Sequence, residues 1–187
     1  MVESWLSNDI SDNELAIDQY QILRLDRDRH GGGVLMYVHC SLSPKVLSAG
    51  DHSLELLIVS VSPVGSTSKF CISLFYRPPS SSGTEVLESL STVLQSLNPE
   101  VFNSFVLIGD FNVDYFCTHS FLYKRLFDCL SPFSLRQIVP HATHERPNGT
   151  STLIDLAFIP NPSQLRYVVL SFHHCLTRTT MEYNWIL

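Results

Sequence analysis

Six runs rich in β-branched and aromatic residues constrain the fold of this 187-residue chain more than any other feature. Each run has the length and composition of a β-strand, and they lie at 33–40, 54–62, 70–76, 104–111, 152–159 and 165–172. Two further segments, 84–97 and 119–133, carry apolar residues at helical spacing, with Thr84 as the predicted N-cap of the first. Strands that outnumber helices and mostly follow one another predict an α/β fold of sheet layers with helices on their outer faces.

The length, composition and cysteines of the chain indicate which broad class of protein it belongs to: globular, membrane, secreted or disulfide-rich. A chain of this size buries roughly 70% of its unfolded surface, which suits one globular domain. No run reaches the ~18 consecutive apolar residues of a membrane helix, and the N-terminus shows no secretory signal. The five cysteines are scattered and form no CxxC pair, which argues against a disulfide framework or a Cys-rich zinc site. We therefore expect an intracellular protein, nuclear or cytoplasmic, that is not secreted and has no membrane partner.

The net charge of the chain limits how it can bind nucleic acid. Its formal net charge is -6, whereas proteins that hold DNA by electrostatics alone carry a basic patch or stripe. Passive DNA binding is therefore disfavoured. An enzyme that meets phosphate through a metal ion held by carboxylates remains compatible with this charge, because the ion supplies the positive charge locally.

The stretch "VLIGDFNVDY" at 106–115 runs from an apolar strand directly into polar residues. Period-two alternation puts Asp110 and Asn112 on one face of the strand, with Phe111 pointing into the core. A carboxylate and a carboxamide would then converge on one site. The alternative is a polar β-turn, which is the commoner fate of Gly-Asp and Asn residues.

Other polar residues stand at the ends of predicted strands. Tyr76 and Arg77 close the run at 70–76, and Asp155 is an acid among apolar residues that is costly to bury without a partner. Each also has a plain structural interpretation. Tyr76 can be a packing aromatic, and a carboxylate such as Glu3 is most often simply exposed.

Five motifs in order give the chain a resemblance to a known superfamily. They are "ESWL" (3–6), "DRDRHGGGVLMYV" (26–38), "FYRPP" (75–79), "IGDFNVD" (108–114) and "STLIDLAF" (151–158). Over roughly residues 2–172, the chain resembles the endonuclease/exonuclease/phosphatase superfamily, and in particular the apurinic-like endonuclease domain of non-LTR (LINE-type) retrotransposons. The resemblance implies a four-layer α/β sandwich, two packed mixed sheets flanked by helices, with the active site at strand ends between the sheets.

The resemblance also implies a reaction, the hydrolysis of a DNA phosphodiester with the help of Mg²⁺ or Mn²⁺. Glu3 matches the main metal ligand, at the end of a strand formed by "ESWL". Such an ion accepts few protein ligands because it prefers carboxylate oxygen and keeps several waters. In a full-length element, the expected partner is a covalently linked reverse transcriptase domain.

Four residues match the catalytic positions of the superfamily. Asp110 would orient or deprotonate the attacking water or handle the leaving-group proton, and Asn112 would hydrogen-bond the phosphate. Tyr76 would contact the phosphate, and Asp155 would orient a catalytic histidine. Three further residues are candidate substrate contacts, although the two hydroxyls are equally well ordinary loop residues: Arg77, Thr143 and Ser151.

Two pieces of the superfamily pattern are not found in the sequence. The pattern has a strand carrying an Asn, and then a helix, before the "ESWL" motif, whereas this chain begins at Met1. We therefore expect a domain at 1–172 that lacks its first strand and helix, forms an incomplete sandwich and is poorly stable on its own.

The second piece is a terminal Ser-Asp-His, in place of which the chain reads "LSFHHCLTRTTMEYNWIL" at 170–187. Read one base out of frame, residues 173–176 can become Pro-Pro-Leu-Ser, and residues 177–180 admit Ser-Asp-His. We therefore predict an aberrant, out-of-frame tail at 173–187. Because losing a positioned acid-base group costs ~10²–10⁴-fold in rate, we expect impaired activity.

The sequence is also compatible with two other functions. The chain can be a catalytically inactive relic or binding fragment, in which case substitution of Asp110 changes nothing. It can also be a phosphatase of the same superfamily that acts on another phosphoester, such as an inositol phosphate. The motifs "DRDRHGGGVLMYV" and "YRPP" favour the retrotransposon type over the phosphatase.

Overall fold

The computed structural model describes residues 1–27, 31–51, 53–145, 149–160, 169–172 and 183–186, the last two segments for their backbone only. The strands, in chain order, are β1 (Tyr20–Leu25), β2 (Val34–His39), β3 (Leu42–Ala49), β4 (Glu55–Pro63), β5 (Phe70–Tyr76), β6 (Phe105–Asp110), β7 (Arg136–Gln137), β8 (His144–Glu145), β9 (Ser151–Thr152), β10 (Asp155–Ile159), β11 (Val169–Phe172) and β12 (Tyr183–Ile186). The helices are α1 (Gly83–Ser96) and α2 (Phe121–Leu130), with 3-10 turns at Pro99–Ser104 and Ser131–Phe133.

The largest sheet has six strands in the order β3-β4-β5-β6-β10-β7. Strands β3, β4 and β5 are joined as antiparallel neighbours, whereas β5 and β6 are parallel and are connected through α1. Strand β10 returns antiparallel to β6. The end of β5, the end of β6 and the start of β10 therefore meet at one edge of the sheet.

Both faces of this sheet are covered, which explains why β4 reads as an almost continuous apolar run. On one face, Leu56 and Ile58 join a core with the buried side of α1 and α2. On the other face, Leu57 and Val59 pack against the antiparallel β1–β2 pair. The described residues thus form a helix layer, a six-stranded sheet and a smaller second sheet, which agrees with an incomplete α/β sandwich.

The helices form where their apolar spacing predicts them, with one correction at a cap. Helix α1 buries Val86, Leu87, Leu90 and Leu94, which lie along one side of the helix. Its N-cap is Ser82 rather than Thr84, and Ser82 makes no side-chain capping hydrogen bond. Helix α2 has Ser120 as its N-cap, whose side chain accepts a hydrogen bond from the Tyr123 backbone N–H.

Several predicted strands differ from the observed ones. The segment "ESWL" is no strand: Val2 forms an isolated bridge to Val34, and Glu3 and Trp5 have φ of 54° and 56°. The run at 152–159 is split into β9 and β10 by a break at Leu153 and Ile154. Strands β1 and β3 were not predicted, because their sequences mix polar residues with few consecutive apolar ones.

The C-terminal part of the chain leaves some predictions open. In the run at 165–172, strand β11 covers Val169–Phe172 and pairs antiparallel with β12, and the remainder lies outside the described residues. Residues 173–182 and 187 also lie outside them, so the out-of-frame tail stays a prediction. Within the described part of the chain, neither helix is long and apolar enough to cross a membrane.

Candidate active site

The strand register brings together three of the predicted catalytic residues. Tyr76 is the partner of Asp110 in the parallel β5–β6 ladder, and Asp155 is the partner of Asp110 in the antiparallel β6–β10 ladder. Their strand neighbours Phe75, Phe111 and Leu156 lie in the core beneath the helices. Because side chains alternate between the faces of a sheet, Tyr76, Asp110 and Asp155 point to the other face, toward the β1–β2 pair.

The predicted metal ligand Glu3 lies next to Tyr76. The phenol of Tyr76, which is 3% exposed, donates a hydrogen bond to Oε1 of Glu3. Burial raises the pKa of Tyr76 well above its usual value, and the hydrogen bond to Glu3 and the negative charges of Glu3, Asp110 and Glu55 raise it further. The phenol therefore stays protonated at physiological pH and acts as a hydrogen-bond donor.

Asp110 has a carboxyl group that changes its charge near neutral pH. Burial raises its pKa to about 7, and the negative charges of Asp155 and Glu3 act in the same direction. The hydrogen bond from the Asn112 backbone N–H and the positive charge of Arg77 oppose this rise. A carboxyl group that is close to half-protonated at pH 7 is suited to general acid-base chemistry.

Asn112 lies beside Asp110, but for a different reason than the predicted strand alternation. Strand β6 ends at Asp110, and Asn112 adopts a left-handed conformation with φ of 48°. Its backbone N–H donates to Oδ1 of Asp110 at 2.8 Å, and its side-chain Nδ2 donates to Oδ2 at 3.0 Å. The strand thus extends to Asp110 as predicted, and the backbone leaves the extended conformation before Asn112. The turn itself brings the carboxamide to the carboxylate, while Phe111 is fully buried as predicted.

Arg77 stabilises this turn through hydrogen bonds to backbone carbonyl oxygens. Its side chain donates to the carbonyl oxygens of Phe111 at 2.7 Å, of Pro78 at 3.3 Å and of Asn112. In return, Nδ2 of Asn112 donates to the carbonyl oxygen of Arg77 at 2.9 Å. Burial lowers the pKa of Arg77, and the charge of Asp110 opposes this effect. Arg77 thus positions Asn112 in this structure, and its contact to a substrate stays a prediction.

The two predicted hydroxyl contacts have different surroundings. Oγ1 of Thr143 accepts hydrogen bonds from the backbone N–H groups of Ile154 at 3.2 Å and Asp155 at 3.0 Å. Thr143 thereby holds the start of β10, where Asp155 is located. Ser151 is exposed in the short strand β9 and makes no comparable contact to the strand ends that the structure describes.

Sequence reasoning missed a buried acid next to these residues. Glu55 is 3% exposed, is the strand partner of Tyr76, and forms an ion pair with Arg27 at 2.9 Å. It also accepts a hydrogen bond from the Gly33 backbone N–H. The sequence did contain a signal for Glu55, which is a charged residue directly before the apolar run "LLIVSV". A charged residue in that place is costly to bury unless it is paired, so its presence indicates a specific partner.

A cavity of about 470 Å³ opens on the other side of Asn112. Its lining includes polar residues that the sequence did not single out, Asp114 and His144. Oδ1 of Asp114 accepts hydrogen bonds from the backbone N–H groups of Phe116 at 3.1 Å and Leu153 at 3.3 Å. Asp114 ends the motif "IGDFNVD", in which only Asp110 and Asn112 were candidate site residues, whereas His144 lies outside the five motifs.

The donor set fits a hard divalent cation held with water. No group of three or more His, Cys, Asp or Glu side chains forms a metal site among the described residues. Mg²⁺ commonly binds through one or two carboxylates and keeps several waters, so two carboxylates such as Glu3 and Asp110 would suffice as protein ligands. Their mutual repulsion, which contributes to the raised pKa of Asp110, is what a bound cation would relieve.

Comparisons by sequence found no relative, since neither a family model nor a curated protein matches the chain. Comparison with solved structures found the endonuclease domain of TRAS1, a telomere-specific non-LTR retrotransposon. The TM-score is 0.62 and the identity 10%, over 78% of this chain and 67% of that one. A mannosyl-6-phosphatase from Bacteroides thetaiotaomicron matches with a TM-score of 0.54 and 15% identity, over 79% of this chain and 65% of that one.

An endonuclease/exonuclease/phosphatase family protein from the same bacterium matches with a TM-score of 0.52 and 14% identity, over 79% of this chain and 63% of that one. This chain thus spans between 63% and 67% of the length of these three structures. They include a nuclease and a phosphatase, and at such identities the likeness concerns the fold. The fold of this chain is therefore similar to the fold of these three structures, one of which is described as an endonuclease/exonuclease/phosphatase family protein, and this agrees with the fold that the order of the five motifs predicted.

Proposed function

We propose that this chain is a phosphodiester hydrolase that nicks DNA with the help of Mg²⁺ or Mn²⁺. The observation that carries the proposal is the meeting of Glu3, Tyr76 and Asp110 at the ends of neighbouring strands, with Asn112 bonded to Asp110. These groups supply a cation ligand, a proton donor, an acid-base group and an amide at one place. The fold shared with a retrotransposon endonuclease domain supports DNA as the substrate.

Each residue has a proposed role. Asp110, whose pKa is about 7, accepts a proton from the attacking water or gives one to the leaving oxygen. Tyr76, whose phenol stays protonated, exchanges its hydrogen bond to Glu3 for one to a phosphate oxygen when the substrate binds. Asn112 exchanges its bond to Asp110 for one to the phosphate. Asp155 raises the pKa of Asp110 by its charge, and its proposed pairing with a catalytic histidine concerns residues outside the described ones.

Glu3 is the proposed main protein ligand of the divalent ion, with Asp110 as the second. When bound, the ion would stabilise the negative charge that develops on the phosphate and the departing oxygen. Tyr76 and the backbone hold Glu3 in place, while Arg77 and the turn at Asn112 hold the phosphate-binding amide. The residues of the chain thus orient the substrate and transfer the proton.

A plasmid-nicking assay tests the proposal. We expect supercoiled plasmid to be nicked with Mg²⁺ or Mn²⁺ and not with EDTA, and Asp110→Asn to reduce the rate by ~10²-fold or more. Asp128→Asn, which removes an exposed carboxylate on α2, is the matched control and should nick at the rate of the unmodified chain. Nicking that persists in EDTA, or that is equal in Asp110→Asn, contradicts the proposal.

The acidic charge of the chain favours a second candidate, hydrolysis of a small phosphoester. A net charge of -6 repels extended DNA more strongly than a small phosphoester, which carries fewer negative charges, and the fold is shared with a mannosyl-6-phosphatase. A panel of plasmid, abasic duplex, sugar phosphate and inositol phosphate separates the two. We expect the highest kcat/KM for a DNA substrate, and the reverse order would favour the phosphatase.

We also propose that this chain nicks DNA at a low rate and that it belongs to an intracellular retrotransposon protein. The rate is low because the sequence at 170–187 contains no Ser-Asp-His, and exchanging this tail for its shifted-frame translation should raise it. The proposed context is an intracellular retrotransposon protein with a covalently linked reverse transcriptase domain. Sequencing the coding DNA and its flanking DNA tests both points. The coding DNA should encode Ser-Asp-His in the shifted reading frame, and the flanking DNA should contain an open reading frame for a reverse transcriptase.

A further inference from the structure

The glycine run at 31–33 has no role in the proposed chemistry, yet its backbone contacts Glu55 and is hydrogen-bonded to the segment that follows Glu3. Its three φ angles are 136°, 82° and 84°, a region that residues with side chains rarely adopt. A Cβ atom added to Gly32 would lie 2.6 Å from Oε2 of Glu55. The run therefore brings its backbone into direct contact with the Glu55 carboxylate, which explains why glycine is needed there.

Glu55 holds the run from the side of the large sheet. Its buried carboxylate accepts a hydrogen bond from the Gly33 backbone N–H and pairs with Nη1 of Arg27 at 2.9 Å. A carboxylate of this burial requires such partners, since an uncompensated buried charge is strongly destabilising. Strand β4 supplies a rigid support, because it is paired on both sides within the six-stranded sheet.

The run in turn holds the N-terminal segment. The carbonyl oxygen of Gly33 accepts a hydrogen bond from the Ser4 N–H at 3.2 Å, and that of Gly32 accepts one from the Trp5 N–H at 3.0 Å. Glu3 belongs to no strand and has φ of 54°, so no continuous strand ladder fixes its backbone. Its position beside Tyr76 depends on these bonds on its C-terminal side, together with the bonds between Met1 and Leu35 on its N-terminal side.

We propose that Glu55 is a positioning residue for Glu3: acting through the glycine run, it places the Glu3 carboxylate beside Tyr76 and Asp110 and thereby sets the affinity of the site for a divalent cation. This inference rests on the proposed function, in which Glu3 is the metal ligand. Glu55 itself does not bind the ion. Outer partners that orient metal ligands typically contribute ~10–100-fold to metal affinity, which is the size of effect expected here.

The test measures Mn²⁺ binding directly, by the electron paramagnetic resonance signal of the free ion, and does not depend on activity. Glu3→Gln should weaken Mn²⁺ binding by ~10-fold or more, and Glu55→Ala should weaken it by a similar factor. In the double variant the two losses should not multiply, because Glu55 acts through Glu3. Losses that multiply would show that Glu55 acts independently of Glu3 and would overturn the proposal.

Two milder substitutions keep the test valid if Glu55→Ala does not fold. Glu55→Gln retains an oxygen that can accept the Gly33 N–H, so we expect it to keep Mn²⁺ affinity within ~3-fold while losing the Arg27 ion pair. Glu55→Asp retains the charge but withdraws the carboxylate by one methylene. We expect it to weaken binding by more than Glu55→Gln does, and the reverse order would overturn the proposal.

The matched control is Leu87→Ala, which destabilises the fold on the opposite face of the sheet. Leu87 is 1% exposed in the core beneath α1, so the variant should melt earlier with unchanged Mn²⁺ affinity. If Leu87→Ala weakens Mn²⁺ binding as much as Glu55→Ala does, the effect is a general consequence of lower stability and the inference is overturned.

If the unmodified chain binds no Mn²⁺, or if Glu3→Gln binds it equally well, the proposed metal site fails and this inference fails with it. A Glu3-dependent site that is insensitive to all Glu55 variants refutes this inference alone.

Discussion

The two faces of the six-stranded sheet are built from different chemistry. The face beneath α1 and α2 is a continuous apolar core that includes three fully buried phenylalanines, Phe75, Phe105 and Phe111. The face toward β1 and β2 has a smaller apolar cluster and carries the acidic groups Glu55 and Asp110 at its edge. We infer that the helix-covered face supplies most of the stability, which permits the other face to carry charges that are costly to bury.

The strongest way to test this comparison is to remove a phenyl ring from the helix-covered face. Phe105→Ala should lower the free energy of unfolding by ~3–5 kcal/mol, because a fully buried ring leaves a cavity. Urea unfolding followed by circular dichroism measures the change. Phe127→Ala removes a ring that is 58% exposed on α2, and its effect should stay within ~0.5 kcal/mol. Equal effects of the two variants would contradict the assignment of the core.

The charged face should make stability depend on pH in the absence of divalent ions. The pKa of Asp110 is raised from 3.8 to about 7, so its neutral form favours folding. This contribution is fully present below pH 3.8 and is lost as the pH rises through about 7. Between pH 5 and pH 8, the loss attributable to this group is on the order of 2–3 kcal/mol.

Unfolding of the unmodified chain and of Asp110→Asn at a series of pH values measures this contribution. The variant should lack this part of the pH dependence, because its amide does not titrate. Added Mg²⁺ should stabilise the unmodified chain more at pH 8 than at pH 5, since the cation binds the ionised carboxylate. A pH dependence that is identical in the variant would show that another group is responsible.

Arg77 directly follows β5 and is hydrogen-bonded to the turn that carries Asn112. Substitution of Arg77 should affect the nicking rate more than the stability of the fold. Arg77→Met leaves the carbonyl oxygens of Phe111 and Asn112 without their donor, which should cost ~1–3 kcal/mol. Because the turn that carries Asn112 is released, we expect kcat for nicking to fall with little change in Mn²⁺ affinity. An unchanged kcat in a variant that shows this loss of stability would limit Arg77 to a purely structural role.

The smallest predicted effect compares the caps of the two helices. Ser120→Ala removes the hydroxyl that accepts from the Tyr123 N–H at 3.1 Å and should cost ~1 kcal/mol. Ser82→Ala removes a hydroxyl that makes no capping bond to α1, so it should cost a few tenths of a kcal/mol at most. Thermal melts of the two variants side by side provide the measurement, and a larger loss for Ser82→Ala would contradict the cap assignment.

Much of the local structure could be predicted because it depends on neighbours in the chain. The apolar runs of β2, β4, β5 and β6 and the helical spacing of α1 all mark real elements. The burial of Phe111 beside Asp110 likewise follows from alternation along one strand. The sequence placed these elements correctly but misjudged "ESWL", because a short apolar segment does not reveal whether it has a partner strand.

Periodicity and the cost of burying charge were enough to predict strands β2, β4, β5 and β6, both helices and the acid Asp110 at the end of β6. Which acidic residues lie next to one another depends on tertiary contacts. Glu3 and Tyr76 are 73 residues apart in the chain, and Glu55 and Gly33 are 22 apart. Such contacts depend on strand order and register, which no local pattern encodes. They also explain the left-handed turn at Asn112, where bonds from Arg77 and to Asp110 hold a backbone conformation that alternation did not predict.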